Sequence, residues 1–337
     1  MIEAAIQLVE GGQDLSAEQV AEAMGLIMRG RCHDDQIARL LLGLHRKGET
    51  VAEVAGAAAA MREQMTRIRT SHAKVIDTCG TGGDRSGTFN ISTAAALVTA
   101  AAGVPVAKHG NRAVTSRSGS ADVLAVLGVN VEAEVACVEE CLEELGICFC
   151  FAPLLHGAMK HVAPVRKRLN EPTIFNILGP LANPAAAPFQ LIGVGRAALQ
   201  PLLSRALVLL GSQRALVVHG SDGLDEVTLA GTTHVFEAAQ GRVDQFHWKP
   251  ADFGLATAPT EALRVAGPEE SAAVIRDILS RRPGAARDVV LANAAAALWT
   301  VRHAATLEGC VRAAADAIDS GAAQELLLRL VARTRAN

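Results

Sequence analysis

Hydrophobic and polar positions at the start of the chain recur at helical spacing. Ser16 with Gln19 and Thr50 with Glu53 have the spacing of helix capping boxes, and Asp34 is placed to cap the segment "DQIARLLLGLHRKG". This pattern predicts a small bundle of helices in the first part of the chain.

From Lys74 onward the pattern changes to short apolar runs separated by helical segments. The runs "KVIDT", "PVAKH", "ICFCF", "FQLIGVG" and "ALVVHG" predict strands, and a glycine-punctuated stretch at 232–248 predicts a hairpin. Such alternation is typical of a mostly parallel sheet covered by helices, which binds ligands at the carboxyl ends of its strands. The predicted fold class is therefore α/β, with a small all-helical domain joined to a larger α/β domain.

The stretch "DTCGTGGDRSGTFNIST" lies between the first predicted strand and a predicted helix, with Ser92 and Thr93 placed to cap that helix. Glycines let the backbone approach a ligand closely, and the positive end of the helix favours an anion there, so a phosphate is the expected ligand. A flexible turn is the alternative. The dinucleotide fingerprint and the nucleoside-triphosphate loop do not fit, because their Gly-x-Gly-x-x-Gly and Gly-Lys-Ser/Thr endings are absent.

A basic loop, "KHGNRAVTSRSGSADVLAVLG", follows the second predicted strand and ends at another helix start. Lys108, His109, Arg112 and Arg117 in this loop favour a ligand larger than one phosphate, such as a pyrophosphate with a second phosphate group. A solvated basic loop is the alternative. It is disfavoured because the neighbouring strand end carries the same anion-binding chemistry.

Two adjacent acids, Asp225 and Glu226, follow the fifth predicted strand in "HGSDGLDEVTLAG". Paired carboxylates beside a phosphate site are a usual way to share Mg²⁺ with a diphosphate, although such pairs are also common on solvent loops. The segment "HGAMKHVAPVRKRLN" is predicted to be helical, with most of its basic side chains in solvent. One arginine turned inward would bind a carboxylate in a bidentate fork.

The amino-acid composition disfavours several classes of function. The formal charge is -3, aromatic residues make up 3% and tyrosine is absent, which disfavours nucleic-acid binding. Apolar stretches are interrupted by charges and "MIEAAIQLVEGG" lacks a leader pattern, so we expect a cytoplasmic protein without a membrane span. Seven cysteines do not suggest a disulfide framework. Cys137, Cys141, Cys148 and Cys150 would suit a metal, but helix and strand spacing favours small buried apolar side chains.

Six motifs together resemble the anthranilate phosphoribosyltransferase family: "GTGGD", "TFNIST", "KHGNRAV", "SGSADVL", "FNILGPLANP" and "GLDEV", in the family's order and spacing. The resemblance implies transfer of the phosphoribosyl group of 5-phosphoribosyl 1-pyrophosphate (PRPP) to the amine of anthranilate. The products would be N-(5-phosphoribosyl)anthranilate and diphosphate, in tryptophan biosynthesis. It also implies the nucleoside phosphorylase/phosphoribosyltransferase type of fold, Mg²⁺ as cofactor with two ions per subunit, and a homodimer through the helical domain.

The resemblance implies bounds of 1–70 for the helical domain, with a later helical insertion near 169–188, and 71–337 for the PRPP-binding α/β domain. It assigns to PRPP the residues Gly80, Gly83, Asp84, Thr88, Asn90, Ile91, Ser92, Thr93, Lys108, His109, Gly110, Asn111, Arg112, Ala113, Val114, Thr115, Ser116 and Ser120. It assigns to anthranilate Gly80, Asn111, His156 and Arg166, and to the metal Ser92, Asp225 and Glu226. It assigns no essential base, and His109 is only a candidate helper.

The chain departs from the family pattern near the acceptor side. Gly157 replaces the proline of "HPAMK", Asn170 replaces a glycine, Arg117 replaces a lysine, and Glu171 and Pro172 precede "TIFN". A pyrimidine nucleoside phosphorylase shares the fold and is the nearest rival enzyme. The acid pair and Arg166 disfavour it, because phosphorolysis needs neither a diphosphate-bound metal nor a carboxylate clamp. The rival from another class is a non-catalytic relative that binds nucleic acid.

Overall fold

The computed structural model describes residues 2–113 and 118–336, and it opens with four helices. They are α1 (Ile2–Glu10), α2 (Ala17–Met28), α3 (Asp34–Lys47) and α4 (Val51–Gln64).

Both predicted capping boxes of the helical bundle are confirmed. The Ser16 Oγ atom accepts from the Gln19 backbone N–H at 3.2 Å, and the Thr50 Oγ1 atom accepts from the Glu53 backbone N–H at 3.3 Å. The predicted cap at Asp34 is wrong by one residue, because His33 occupies the cap position and Asp34 begins α3. Asp34 still places a negative charge in the first turn of α3, where the helix dipole favours it.

Within the described residues, seven strands form one sheet in the order β3-β2-β1-β4-β5-β6-β7. The strands are β1 (Ile76–Gly80), β2 (Val106–Gly110), β3 (Ile147–Phe151), β4 (Phe189–Gly193), β5 (Arg214–Gly220), β6 (Thr233–Ala239) and β7 (Arg242–Trp248). The first five are parallel, and β6 and β7 add an antiparallel hairpin. The strand order reverses between β1 and β4, which is where open parallel sheets bind their ligands. The predicted strands and hairpin are confirmed.

Helices cover the sheet. They are α5 (Ile91–Ala101), α6 (Ser120–Leu127), α7 (Val135–Leu145), α8 (Ala152–Leu155), α9 (Ala163–Leu169), α10 (Phe175–Leu178), α11 (Leu199–Leu209), α12 (Pro268–Leu279), α13 (Ala285–Thr300), α14 (Leu307–Asp319) and α15 (Ala322–Arg335). The basic segment at 156–170, predicted as one helix, is divided into a 3-10 turn at Gly157–His161 and α9.

The helical bundle shares an apolar core with one face of the sheet. Leu44 of α3 and Leu203 of α11 belong to the same buried cluster as Ile192 and Val217 of the strands. The opposite face packs against α5 and α13 in a second cluster. Because buried apolar area stabilises both contacts, the bundle is held in a set position relative to the strand ends.

The segment from α9 to α10 joins the core of the bundle. Val162, Val165, Ile174 and Leu178 are buried in the cluster that contains the bundle's own apolar side chains. The packing of this segment on the bundle begins before residue 169, the predicted start of the helical insertion. The domain bounds 1–70, 169–188 and 71–337 stay predictions.

Six of the seven cysteines are buried. All seven cysteines are free, and the four near α7 and β3 are buried. Between residues 2 and 113 and between 118 and 336, no helix is both long and apolar enough to cross a membrane.

Candidate active site

The carboxyl ends of β1 and β2 and the loop after β5 border a cleft of about 530 Å³. Sixteen of the predicted site residues line it: Gly80, Gly83, Asp84, Thr88, Asn90, Ile91, Ser92, Lys108, His109, Gly110, Asn111, Arg112, Ala113, Ser120, Asp225 and Glu226. They come from three separate parts of the chain. Thr93, His156 and Arg166 do not line this cleft, and Val114, Thr115 and Ser116 lie outside the described residues.

The glycine loop, residues 80–90, turns through conformations that favour glycine. Gly82 and Gly83 have φ angles of 65° and 84°, and nothing lies within 4 Å of where a Cβ atom would project from either. Asn90 occupies the cap position of α5, so Ser92 and Thr93 lie inside the first turn instead of capping it. The positive end of α5 therefore faces the cleft through this loop, as an anion site requires.

Asn90 is held by a residue that the sequence did not indicate. Its Oδ1 atom accepts from Ser118 Oγ at 2.7 Å and from Ser271 Oγ at 3.0 Å, and its backbone N–H donates to Ser271 Oγ at 3.0 Å. Ser271 lies in the first turn of α12, far along the chain, and no local pattern marks it. These bonds set the direction of the Asn90 side chain at the cleft wall.

Lys108 is buried at the end of β2, with 3% of its surface exposed. Its Nζ atom donates to the Thr78 carbonyl at 2.5 Å and to Ser92 Oγ at 3.0 Å. Burial lowers the pKa of Lys108, while the negative groups around it, led by Asp77, act in the opposite direction. The two hydrogen bonds fix the Lys108 Nζ atom at the floor of the cleft, beside the first turn of α5.

Three carboxylates surround the same floor. Glu226 Oε1 accepts from the Ser92 backbone N–H at 3.1 Å. Burial raises the pKa of Glu226 to about 7, and Lys108 opposes this rise. Burial also raises the pKa of Asp225 well above its usual range, and the nearby charges of Asp84 and Glu226 add to the effect.

The donor set fits Mg²⁺. Asp225, Glu226 and the Ser92 hydroxyl offer hard oxygen atoms, and Asp84 Oδ2 is buried without a hydrogen-bond partner. The described residues contain no group of three or more His, Cys, Asp or Glu side chains arranged to hold a metal. Mg²⁺ does not require one, because it is usually held by one or two carboxylates and completes its shell with water and substrate phosphates.

The basic loop after β2 borders the cleft, and acidic side chains hold it in place. Arg112 donates to Glu132 Oε1 at 2.9 Å and lies 3.6 Å from Asp122 Oδ1. Asp122 Oδ2 also accepts from the backbone N–H groups of Ala113 and Gly119 at 2.8 and 3.1 Å. Asp122 therefore ties the two described ends of the loop to the start of α6.

His109 and His156 form a buried pair behind the cleft. Their ring centroids are 5.2 Å apart. Burial lowers the pKa of His109 to about 3, with further lowering from His156 and Lys108, and burial lowers the pKa of His156 to about 4. Both rings are therefore neutral at pH 7. His109 lines the cleft, whereas His156 packs against His109 and is not among the lining residues.

Arg166 is half-buried on α9, away from the cleft wall. Its Nη2 atom donates to Asn176 Oδ1 at 3.3 Å, and its guanidinium lies 5.6 Å from the centre of the Phe175 ring. Its neighbour Arg168 pairs instead with Asp34 at 3.0 Å on the surface. Arg166 is thus more buried than Lys167 and Arg168, which are exposed. The role of Arg166 toward a ligand stays a prediction.

Comparison with known proteins decides the family. A family model described as "Glycosyl transferase family, a/b domain" matches residues 72–324, and one described as "Glycosyl transferase family, helical bundle domain" matches residues 3–65. The anthranilate phosphoribosyltransferase of Rhodospirillum rubrum is 52% identical over 331 residues, which are 98% of this chain and 95% of that protein. The chain belongs to the anthranilate phosphoribosyltransferase family. A second relative of this name, from Rhodopirellula baltica, is 50% identical over 97% of this chain and 95% of its own length.

Solved structures of anthranilate phosphoribosyltransferases have the same fold. The Thermus thermophilus protein is 43% identical, with a TM-score of 0.93 over 98% of this chain and 99% of that chain. The Saccharomyces cerevisiae protein in complex with PRPP and Mg is 26% identical, with a TM-score of 0.91 over 100% of this chain and 98% of that chain. The anthranilate phosphoribosyltransferase fold therefore accounts for both the helical and the α/β parts of the molecule.

Proposed function

We propose that the chain transfers the phosphoribosyl group of PRPP to the amine of anthranilate, giving N-(5-phosphoribosyl)anthranilate and diphosphate in tryptophan biosynthesis. One observation carries this proposal: the glycine loop, buried Lys108 and the pair Asp225 and Glu226 converge on one cleft in a member of this family. The yeast relative has been solved with PRPP and Mg, and a variant of it, 25% identical to this chain, with 4-fluoroanthranilate. Both complexes support the two substrates.

Stabilisation of the leaving diphosphate is the main task of the cleft. Breaking the ribose C1–O bond leaves an oxocarbenium-like centre and an anionic leaving group. The backbone N–H groups of the glycine loop, the positive end of α5 and Lys108 are preorganised for that charge. When bound by Ser92, Asp225 and Glu226, Mg²⁺ neutralises part of the diphosphate charge. We infer two ions per subunit, which calorimetric titration of Mg²⁺ in the presence of PRPP would count.

Alignment of the acceptor matters more than base catalysis. The anthranilate amine is a weakly basic nucleophile, so holding it against C1 supplies most of its reactivity. We assign its carboxylate to Arg166, with Gly80, Asn111 and His156 along its path. His109 is neutral at pH 7 but has a pKa of about 3, which makes it a weak base and at most a helper.

The test is anthranilate-dependent consumption of PRPP in the presence of Mg²⁺. Product formation that requires all three components supports the proposal. Phosphorolysis of thymidine or uridine with inorganic phosphate, and no transfer to anthranilate, would instead identify a pyrimidine nucleoside phosphorylase. Salt-dependent DNA binding without any transfer would identify the non-catalytic relative.

We also propose a homodimer through the helical domain and a cytoplasmic location. Partly exposed apolar side chains on α1 and α3, among them Ile2, Leu8 and Ala38, support the first. Seven free cysteines suit a reducing compartment and support the second. Light scattering after size-exclusion chromatography measures the mass, and an elution as a monomer at micromolar concentration would contradict the dimer.

A further inference from the structure

Residues 258–265, which we call the strap, run along the outer side of the cleft between two of its loops. The strap contains a 3-10 turn at Thr260–Leu263 and forms an isolated β-bridge between Arg264 and Thr88. Three hydrogen bonds join it to the glycine loop: from Phe89 N to Leu263 O at 2.9 Å, from Val265 N to Gly87 O at 2.9 Å, and from Arg264 Nε to Ser86 O at 3.2 Å.

The other side of the strap is bound to the loop that leads to Asp225 and Glu226. Thr260 Oγ1 donates to Asp222 Oδ2, and the Ala258 backbone N–H donates to the Leu229 carbonyl at 3.1 Å. Asp222 Oδ2 also accepts from Thr228 Oγ1 at 3.0 Å. One carboxylate oxygen therefore joins the strap to the loop of the acid pair.

We propose that Asp222 and Thr260 are positioning residues that hold the acid pair in register with the glycine loop, so that both loops contact the same PRPP. This inference rests on the proposed function of the cleft. Asp222 and Thr260 do not line the cleft; both face a neighbouring groove on the outer side of the glycine loop. They act on PRPP only through the loops that they connect.

The close approach of the two loops explains why their register matters. A Cβ atom on Gly80 would lie 3.0 Å from Asp225 Oδ2, so the end of β1 and the acid pair are already at contact distance. A shift of a few tenths of an ångström between them would misplace the oxygen ligands relative to the N–H groups of the glycine loop. Binding sites assembled from several loops lose affinity when such distances change, because each contact depends on geometry.

Four variants test the Asp222–Thr260 hydrogen bond. Thr260→Val removes the hydroxyl and keeps the size and branching of the side chain, and Thr260→Ser keeps the hydroxyl. Thr257→Val is the matched control, because Thr257 is an exposed threonine of the same groove and no hydrogen bond of its side chain is found among the described residues. Asp222→Asn weakens the same bond in another way, because it keeps the shape of the side chain and one acceptor oxygen but removes the negative charge that strengthens the hydrogen bond.

Steady-state kinetics with each substrate varied in turn, and calorimetric titration of PRPP with Mg²⁺ present, test the proposal. Thr260→Val should raise the KM and the dissociation constant for PRPP on the order of fivefold, the effect of losing one hydrogen bond to a charged acceptor at a half-exposed site. Asp222→Asn should act in the same direction. Thr260→Ser should restore the parent values, and Thr257→Val should match them. The KM for anthranilate should stay within about twofold throughout, because its proposed contacts lie on other elements.

Several results would overturn the positioning role. If Thr260→Val binds PRPP as tightly as the parent protein does, the positioning role is refuted. This holds even if the thermal midpoint of the variant falls, because the hydrogen bond is then only a structural contact. Equal increases in both KM values, or no rescue by serine, would also contradict it. An absence of anthranilate-dependent transfer in the parent protein is a different result, which refutes the proposed function itself.

Discussion

Three carboxylates, Asp84, Asp225 and Glu226, share the floor of the cleft with one buried ammonium group, that of Lys108. The pKa of Glu226 is raised to about 7 and that of Asp225 is raised well above its usual range, mainly by burial. Excess negative charge at such a site favours a divalent cation, whose binding would reverse the direction of both shifts.

Replacing Asp225 with Asn and Glu226 with Gln removes two anionic ligands and keeps the size of both side chains. We expect the double variant to need much more Mg²⁺ for PRPP-dependent activity, or to be inactive at any concentration. A magnesium titration of the initial rate measures this. The control is Glu63→Gln with Asp316→Asn, which removes the same charge from exposed helix positions. A magnesium dependence unchanged from the parent would rule out the metal assignment.

Arg166→Ala tests recognition of the acceptor. A charge-assisted bidentate pair is worth about 1.5–3 kcal/mol, so the KM for anthranilate should rise on the order of tenfold to a hundredfold. The KM for PRPP should change little. Lysine at this position should restore only part of the loss, because a point charge does not reproduce the planar fork. Arg168→Ala on the same helix is the control, since Arg168 pairs with Asp34 at the surface. If both variants behave alike, Arg166 is only one more solvated arginine.

At the scale of elements, the glycine loop has a backbone conformation that restricts which residues its positions accept. Gly83 has a φ angle of 84°, and the space beside it is open, so an added Cβ atom would strain the backbone without meeting another protein atom. Gly83 also lines the cleft. Under the proposed function, the same methyl group would crowd the diphosphate.

Gly83→Ala should weaken PRPP binding more than it destabilises the fold. Calorimetric titration with PRPP and Mg²⁺ measures the first effect, and thermal unfolding the second. Gly146→Ala provides the control, because Gly146 has a φ angle of 71° at the end of α7, equally open space, and no part in the cleft. Equal PRPP affinities in the two variants would show that the glycine loop is only a turn.

At the scale of the whole molecule, the buried pair of His109 and His156 makes the free energy of unfolding depend on pH. The folded-state pKa values of His109 and His156 are lowered to about 3 and about 4, whereas an unfolded histidine titrates near 6.5. The unfolded chain therefore takes up these protons first, and stability present above about pH 6.5 is lost as the pH falls toward the folded-state values.

His156→Gln removes one of these two groups. We expect the free energy of unfolding to fall less steeply with decreasing pH in the variant, by up to about 1.4 kcal/mol per pH unit. Urea unfolding of both proteins between about pH 7 and pH 4.5 measures the two slopes. Glu226, whose raised pKa has the opposite effect on stability, is present in both proteins and cancels in the comparison. Parallel slopes would show that His156 titrates alike in the folded and unfolded chains.

Local sequence patterns were sufficient to predict the helices, the strands and much of the cleft. The capping boxes at Ser16 and Thr50 were readable because a cap bonds to a backbone group three residues away. The basic segment at 156–170 is predicted as one helix, yet it is divided into a 3-10 turn and α9, whose apolar side chains pack on the bundle. Tertiary packing overrode a helical pattern there.

By itself, the sequence determined the order of helices and strands and the residue types that meet at the strand ends. Apolar periodicity specifies which face of an element is buried, and parallel strands align their carboxyl ends. Only the tertiary structure decided which side chains, distant in the sequence, hold the residues at the strand ends in place. Ser271 orients Asn90 from 181 positions further along the chain, and Thr260 joins Asp222 from 38 positions further along. Such contacts depend on the packing of whole elements, because side chains far apart in the chain leave no spacing rule to detect.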